Sequence, residues 1–141
     1  MLDPENSAYT QQSLYSRLGG YDVIAAFVHD LMPRLRTDPV LAVYWKGISD
    51  DSAQKGDQLT INFICAAFDG PVHYSGRDMK TSHKGMGITE AEWEDFLPHV
   101  AAALDSVGVA AREKAEFLEI TASLKWDIVD VPNPDSPAVR A

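Results

Sequence analysis

The stretch Arg77-Asp78-Met79-Lys80-Thr81-Ser82-His83-Lys84-Gly85-Met86-Gly87-Ile88 decides how the rest of the chain is read. It predicts a short helical turn carrying a lone histidine. Two close-set glycines, able to take backbone angles closed to other residues, halt the turn before a new helix begins. A histidine so placed sits on the rim of whatever the flanking helices enclose. One ring nitrogen of His83 is then free to ligate a metal, while the other donates to a nearby carbonyl and fixes the tautomer. By spacing alone, a surface or satisfied core histidine is the commoner outcome in a helical protein.

The segments on either side fit a helical frame. Upstream, Asp69-Gly70-Pro71-Val72-His73-Tyr74-Ser75-Gly76 has turn residues at both ends and little periodicity, so an ordered loop leads into the histidine turn and shapes a pocket wall. Before it, a helix is expected from about Asp51 to Phe68. Its stripe of Thr60, Phe63, Ile64 and Ala67 faces inward, with Gly56 a bare spot one turn earlier on the same side. Downstream, Thr89-Glu90-Ala91-Glu92 forms a capping box that opens a helix burying Trp93, Phe96, Leu97, Val100 and Leu104.

Nearer the N-terminus, Ser13 caps a turn that ends at Gly19-Gly20. Ile24, Phe27, Val28, Leu31 and Leu35 then recur at helical offsets from Tyr21 to about Arg36, with a kink expected near Met32 because Pro33 lacks an N–H. Asp38-Pro39 starts a short helix bearing Leu41, Val43, Tyr44 and Trp45. A last helix spans about Ala110 to Ile128 and turns Phe117, Leu118, Thr121 and Leu124 inward. No strand alternation or internal repeat appears, so the fold class is all-α. Residues 1–12 are expected to be a flexible segment, 13–128 one domain and 129–141 a disordered tail, the last because Pro132, Pro134 and Pro137 cannot continue a helix.

Composition narrows the function. The chain has 141 residues, 45% of them hydrophobic, with 12 basic against 21 acidic residues and a net charge of -9. Such a surface repels phosphate backbones and anionic lipid, which argues against nucleic-acid and membrane partners. Cys65 is the only cysteine, so an internal disulfide and a Cys-rich metal site are excluded and a reducing cytoplasm is expected. The acidic start, Met1-Leu2-Asp3-Pro4-Glu5-Asn6, has no apolar run behind it and does not read as a signal or an anchor.

Taken in order, Leu14-Tyr15-Ser16-Arg17-Leu18-Gly19-Gly20, Asp38-Pro39, Gly70-Pro71, Tyr74-Ser75-Gly76-Arg77-Asp78-Met79 and His83-Lys84-Gly85-Met86-Gly87-Ile88-Thr89 resemble a truncated hemoglobin of the first group, over roughly Ser13 to Leu124. The resemblance implies a two-over-two helical sandwich around heme b, with His83 as the proximal ligand of the iron. It puts Met79, Ile88, Trp93 and Phe96 in the proximal and side walls, and Phe63, Ile64, Met32 and Trp45 in the distal and inner walls. Tyr74, Arg77 and Lys80 are implied partners of the heme propionates, since a carboxylate is best met by cations and donors. Enclosing a flat apolar group in such side chains stabilises the loaded form by about 25 cal/mol per Å² buried.

The chain also departs from that family. Met32 stands where most members carry a distal tyrosine, Trp45 where phenylalanine is usual, and Gly56 and Thr60 replace larger, often amide-bearing residues. Met32 cannot donate to a ligand that gains negative charge on binding. Thr60, Gln58, Gln54 and the Trp45 indole are the remaining donors, and dioxygen is expected to be held less firmly than in tyrosine-bearing relatives. The implied function is reversible binding of diatomic ligands (O2, NO, CO), with nitric oxide detoxification if a separate reductase supplies electrons. A peroxidase-like enzyme would need a distal acid–base group, for which only His29 and His73 are free. A heme-free sensor or interaction module is the third reading, with His83 structural.

Overall fold

The computed structural model describes residues 12–136, so the expected flexible segment, apart from residue 12, and the end of the expected tail, 137–141, lie outside the described residues. Among the described residues seven α-helices form: α1 (Leu14–Leu18), α2 (Tyr21–Thr37), α3 (Asp50–Ala67), α4 (Met79–His83), α5 (Glu90–Ser106), α6 (Ala111–Ser123) and α7 (Lys125–Ile128). Among the described residues no strand appears, and the only bridge pairs Thr89 with Val131.

Side-chain caps fix most of the starts. Ser13, Ser49, Asp78 and Thr89 each accept from a backbone N–H in the first turn of the helix that follows, and Thr89 with Glu92 forms the expected reciprocal capping box. The apolar face of α2, with Ile24, Phe27, Val28, Leu31 and Leu35 buried, is the centre of the molecule. It packs against α3 and α5, and α6 closes on α5. Phe117 of α6 meets Phe27 and Phe68 edge-on, with ring centres 4.9 and 5.0 Å away. Such aromatic pairs contribute about 0.5–1.5 kcal/mol each beyond the area they bury. Cys65 is buried in this core, and burial pushes its thiol pKa up, as expected of an inert packing residue.

The helix expected from Tyr21 to about Arg36 forms as α2 and runs through Pro33 to Thr37, with Pro33 and His29 both on its exposed face, where water can satisfy the carbonyl left without a donor. Two expectations are modified. First, the segment after Pro39 tightens into a single 3-10 turn, Ala42–Trp45, instead of an α-helix. Second, the expected final helix divides at Leu124. Thr121 and Ser123 hydroxyls donate to the carbonyls of Phe117 and Ile120, at 2.8 and 2.5 Å, and such back-bonding competes with the helical ladder and bends it.

Residues 129–136, placed by their prolines in a tail, are tied to the body. Val129 and Ser136 are buried, and Asp130 and Val131 donate backbone N–H groups to the Ile88 carbonyl at 2.8 and 3.1 Å. The prolines end the helix, as expected, but the extended backbone beyond it finds partners on the loop after His83. No helix among the described residues is long and apolar enough to cross a membrane.

Candidate functional site

A single turn of helix carries the histidine. Asp78 caps α4 by accepting from Thr81 N at 2.8 Å, and hydrogen bonding from the Thr81 side chain, with this backbone bond, holds the Asp78 carboxyl below its usual pKa. Lys84 ends the turn, and Gly85 and Gly87 take φ of 81° and 75°, the left-handed angles their spacing predicted. His83 is half-buried, with Nδ1 2.8 Å from the Met79 carbonyl and 3.0 Å from the Ser82 hydroxyl. A carbonyl can only accept, so Nδ1 carries the proton and Nε2 keeps its lone pair. This is the tautomer arrangement expected of a metal-ligating imidazole.

The ring lies in the wall of a cavity of about 480 Å³ enclosed by α2, α3, α5, α6 and the loops between them. That volume falls within the range of sites that hold cofactors and small ligands. Met32, Trp45, Thr60, Phe63, Ile64 and Tyr74 line the cavity, together with Met79, Ile88, Trp93 and Phe96. Arg77 and Lys80 do not. Both are exposed, Arg77 just before α4 and Lys80 in its first turn, and the Tyr74 hydroxyl is engaged with the Arg77 carbonyl at 2.5 Å.

Where α2 and α3 line the cavity, the wall is short of donors. Met32 is buried there, and Gly56 faces open space, since a methyl group built on it would meet nothing within 4 Å. The Thr60 hydroxyl donates to the Gly56 carbonyl at 2.9 Å, one turn back along its own helix. Gln54 and Gln58 do not line the cavity, and Gln58 donates its amide to Tyr21 and Asn62. Of the four donors considered from sequence, Trp45 is left as the lining residue whose donor makes no hydrogen bond among the described residues. His29 and His73, considered as acid–base groups, are exposed and outside the lining.

Two polar pairs in the lining escaped the sequence reading. Tyr44 donates to Glu92 Oε1 at 2.7 Å. Burial, together with the bond and charge of Glu92, pushes the Tyr44 phenol up to about 12. Burial alone would raise Glu92, but hydrogen bonds from Tyr44 and Thr89 hold its carboxyl below the usual range. The other pair joins Arg36 of α2 to Asp57 of α3, with Arg36 Nε closed off from water and without an acceptor. Arg36 lies one turn beyond Met32, and that spacing was the signal to be had; for Glu92, its role in the capping box masked the other.

A polar corner stands behind the Tyr44 turn. Asp38 accepts from His99 Nε2 at 2.7 Å and from the N–H groups of Val40 and Leu41, and these bonds, the His99 one foremost, lower its pKa to about 2. Asp95 contacts Asp38, and that contact, with burial, raises the Asp95 carboxyl.

Comparison with known proteins gives a consistent match. Residues 13–130 fit the family model described as bacterial-like globin. The group 1 truncated hemoglobin GlbN of Mycolicibacterium paratuberculosis is 33% identical over 82% of this chain and 83% of its own length. The Fe(III) form of truncated hemoglobin from Tetrahymena pyriformis superposes with a TM-score of 0.75 at 24% identity, covering 84% of this chain and 98% of that one. The 2/2 hemoglobin of Synechococcus, solved in the cyanomet state with covalently attached heme, gives 0.74 at 21% identity over the same shares of the two chains.

Proposed function

The chain belongs to the bacterial-like globins, among the group 1 truncated hemoglobins, and from that membership we propose how its own residues hold the prosthetic group and the gas. It is an all-α two-over-two globin that binds heme and takes diatomic ligands at the iron. When bound, the heme supplies an iron centre for O2, NO or CO, and the protein supplies position and polarity.

The observation that carries the residue assignment is the tautomer of His83. With Nδ1–H donated to the Met79 carbonyl at 2.8 Å, Nε2 is a free lone pair on the rim of an apolar cavity, which suits the fifth ligand of the iron. Met79, Ile88, Trp93 and Phe96 then cover the proximal face and sides, and Phe63, Ile64, Met32 and Trp45 the distal and inner side. Arg77 and Lys80, exposed at the start of α4, would meet the two propionate carboxylates at the mouth.

The distal wall favours easy release of a ligand that becomes partly negative. Met32 offers no donor, Thr60 uses its hydroxyl on Gly56, and Gly56 leaves space for movement. Oxygen handling and nitric oxide chemistry both fit such a pocket. Catalytic removal of nitric oxide would need electrons from a separate reductase, because the chain carries no nucleotide-binding fingerprint. The lone, buried Cys65 favours a reducing cytoplasm as the compartment.

The test is spectroscopic. The purified protein, supplied with heme, is expected to show an intense blue-edge band and a carbon monoxide adduct typical of imidazole ligation. Heme that stays as loosely associated as it is on an unrelated acidic helical protein would defeat the reading.

A further inference from the structure

We propose that Asp130 is a positioning residue for the iron–histidine bond, acting through the segment 125–133, which straps the His83 turn in place; the proposal rests on the reading of His83 as iron ligand. The need for a strap follows from α4 itself. It is one turn long and none of its residues is fully buried, so packing alone holds the direction of its imidazole loosely. Beyond it stand Gly85 and Gly87, both at positive φ and both with open space around them. A backbone of that kind has many alternatives and keeps one only if something outside holds it.

What holds it comes from more than forty residues away. Gly87 N donates to the Asp130 carboxylate at 2.7 Å, a charge-assisted bond. The Ile88 carbonyl accepts from Asp130 N and Val131 N, and Glu90 N donates to the Val131 carbonyl at 2.8 Å, completing a small parallel bridge. Helix α7, immediately before, packs against α4.

The strap is anchored in turn. Glu90, only 6% exposed, accepts from Lys125 Nζ at 2.7 Å and from Asn133 N at 2.8 Å. Val129 is buried between these two clasps. The iron ligand is therefore steered by bonds that begin at the other end of the domain. Freeing Asp130 lets the turn follow the iron instead of fixing it.

Three substitutions in the heme-loaded protein test this: Asp130→Ala, Asp130→Asn and Lys125→Met. The readouts are the iron–histidine stretching band of the ferrous form by resonance Raman, the rate of heme transfer to an acceptor apoprotein, and exchange of the Gly87 amide. Asp130→Ala is expected to lower and broaden the band and to speed heme loss severalfold. Asp130→Asn, whose side-chain oxygen still accepts from Gly87, should stay close to the parent. A merely structural strap would let the Gly87 amide exchange faster in Asp130→Ala while the band stayed at its parental frequency, and that result overturns the proposal. If Asp130→Ala cannot be prepared with heme, Lys125→Met decides, since it loosens the Glu90 clasp and leaves Asp130 intact. A band moved in the same direction supports the proposal, and an unmoved band sinks it. A parent with no iron–histidine band would instead overturn the assignment of His83.

Discussion

The two sides of the cavity are held by opposite means. On the His83 side no residue of the carrier helix is fully buried, and its place is fixed by polar bonds in the turn and just beyond it: the Asp78 cap, the Met79 carbonyl, and the Asp130 carboxylate on Gly87. On the Met32 side the wall is set by packing, with Leu31, Met32, Leu35 and Leu41 buried in one continuous core. The polar bonds there lie behind the wall, at Asp38–His99, or join wall groups to each other, as in Tyr44–Glu92. On the reading proposed above, a site built this way would anchor the prosthetic group by directed bonds on one face. On the other it would leave the gas beside a wall with few donors.

The largest expected effect comes from removing the directed bond altogether. His83→Gly should abolish the native ligation, and added imidazole should restore a parent-like spectrum by filling the space the ring leaves. A variant whose spectrum matches the parent's without imidazole would erase the contrast between the two sides, because the iron would then be held by something else.

Next in size is a change on the donor-poor side. Met32→Tyr puts a hydroxyl where the resemblance places the distal donor. A hydrogen bond to a charged group contributes about 1.5–3 kcal/mol, so oxygen release by stopped flow should slow by roughly tenfold to a hundredfold. If release in the parent already matched that of the Tyr-bearing variant, another donor must reach the ligand. The Trp45 indole would be the first to examine, by Trp45→Phe.

How far the sequence revealed this contrast follows from the kind of signal each side leaves. The His83 turn is written in local chemistry: a histidine, two glycines that the structure places at positive φ, and a Thr–Glu box; the Asp78 cap was equally local but went unread. The core stripe of α2 is equally local, as a repeat of apolar residues at helical spacing. The strap was illegible because Pro132 and Pro134 correctly predict the end of a helix but say nothing of where the extended backbone finds partners. Tyr44–Glu92 spans 48 positions in sequence, and neither residue breaks a local rule that would have drawn attention to it. The donor-poor wall was half legible. Met32, Gly56 and Thr60 could be placed by resemblance, whereas the loss of Thr60 to Gly56 and of Gln58 to Tyr21 is visible only in three dimensions.

A smaller effect should come from the corner behind the wall. Asp38 has its pKa lowered from 3.8 to about 2, chiefly by His99, so its contribution to stability is present above pH 4 and is lost as pH falls through that window. Asp95 shifts the other way. Its folded-state pKa is raised, so its contribution is present at low pH and is lost as pH rises through the raised value. At neutral pH the Asp95 carboxylate therefore works against the fold, with Oδ2 closed off from water and lacking a partner. Asp95→Asn, whose amide can donate to Asp38, should raise the melting temperature at pH 7 and flatten its decline above pH 4. A lower melting temperature at pH 7 would mean that the corner depends on that second negative charge.

The smallest expected effect separates position from chemistry in the wall itself. Tyr44 ties the 3-10 turn carrying Trp45 to α5 through Glu92, and its phenol is pushed up to about 12 by burial and by the carboxylate beside it. Tyr44→Phe keeps the ring and removes only the hydroxyl, so the expected loss is about 0.5–1.5 kcal/mol, the net worth of one hydrogen bond. In an alkaline titration followed at the tyrosinate absorbance, the parent should show one more late-titrating phenol than the variant. Glu92 keeps its bond from Thr89 N at 2.9 Å, which leaves the cap of α5 in place. If the hydroxyl only fixes the turn, oxygen release and the iron–histidine band should both stay near their parental values in Tyr44→Phe. A large change in oxygen release alone would mean that the Tyr44 hydroxyl reaches into the ligand's space, and the wall would then have a donor after all.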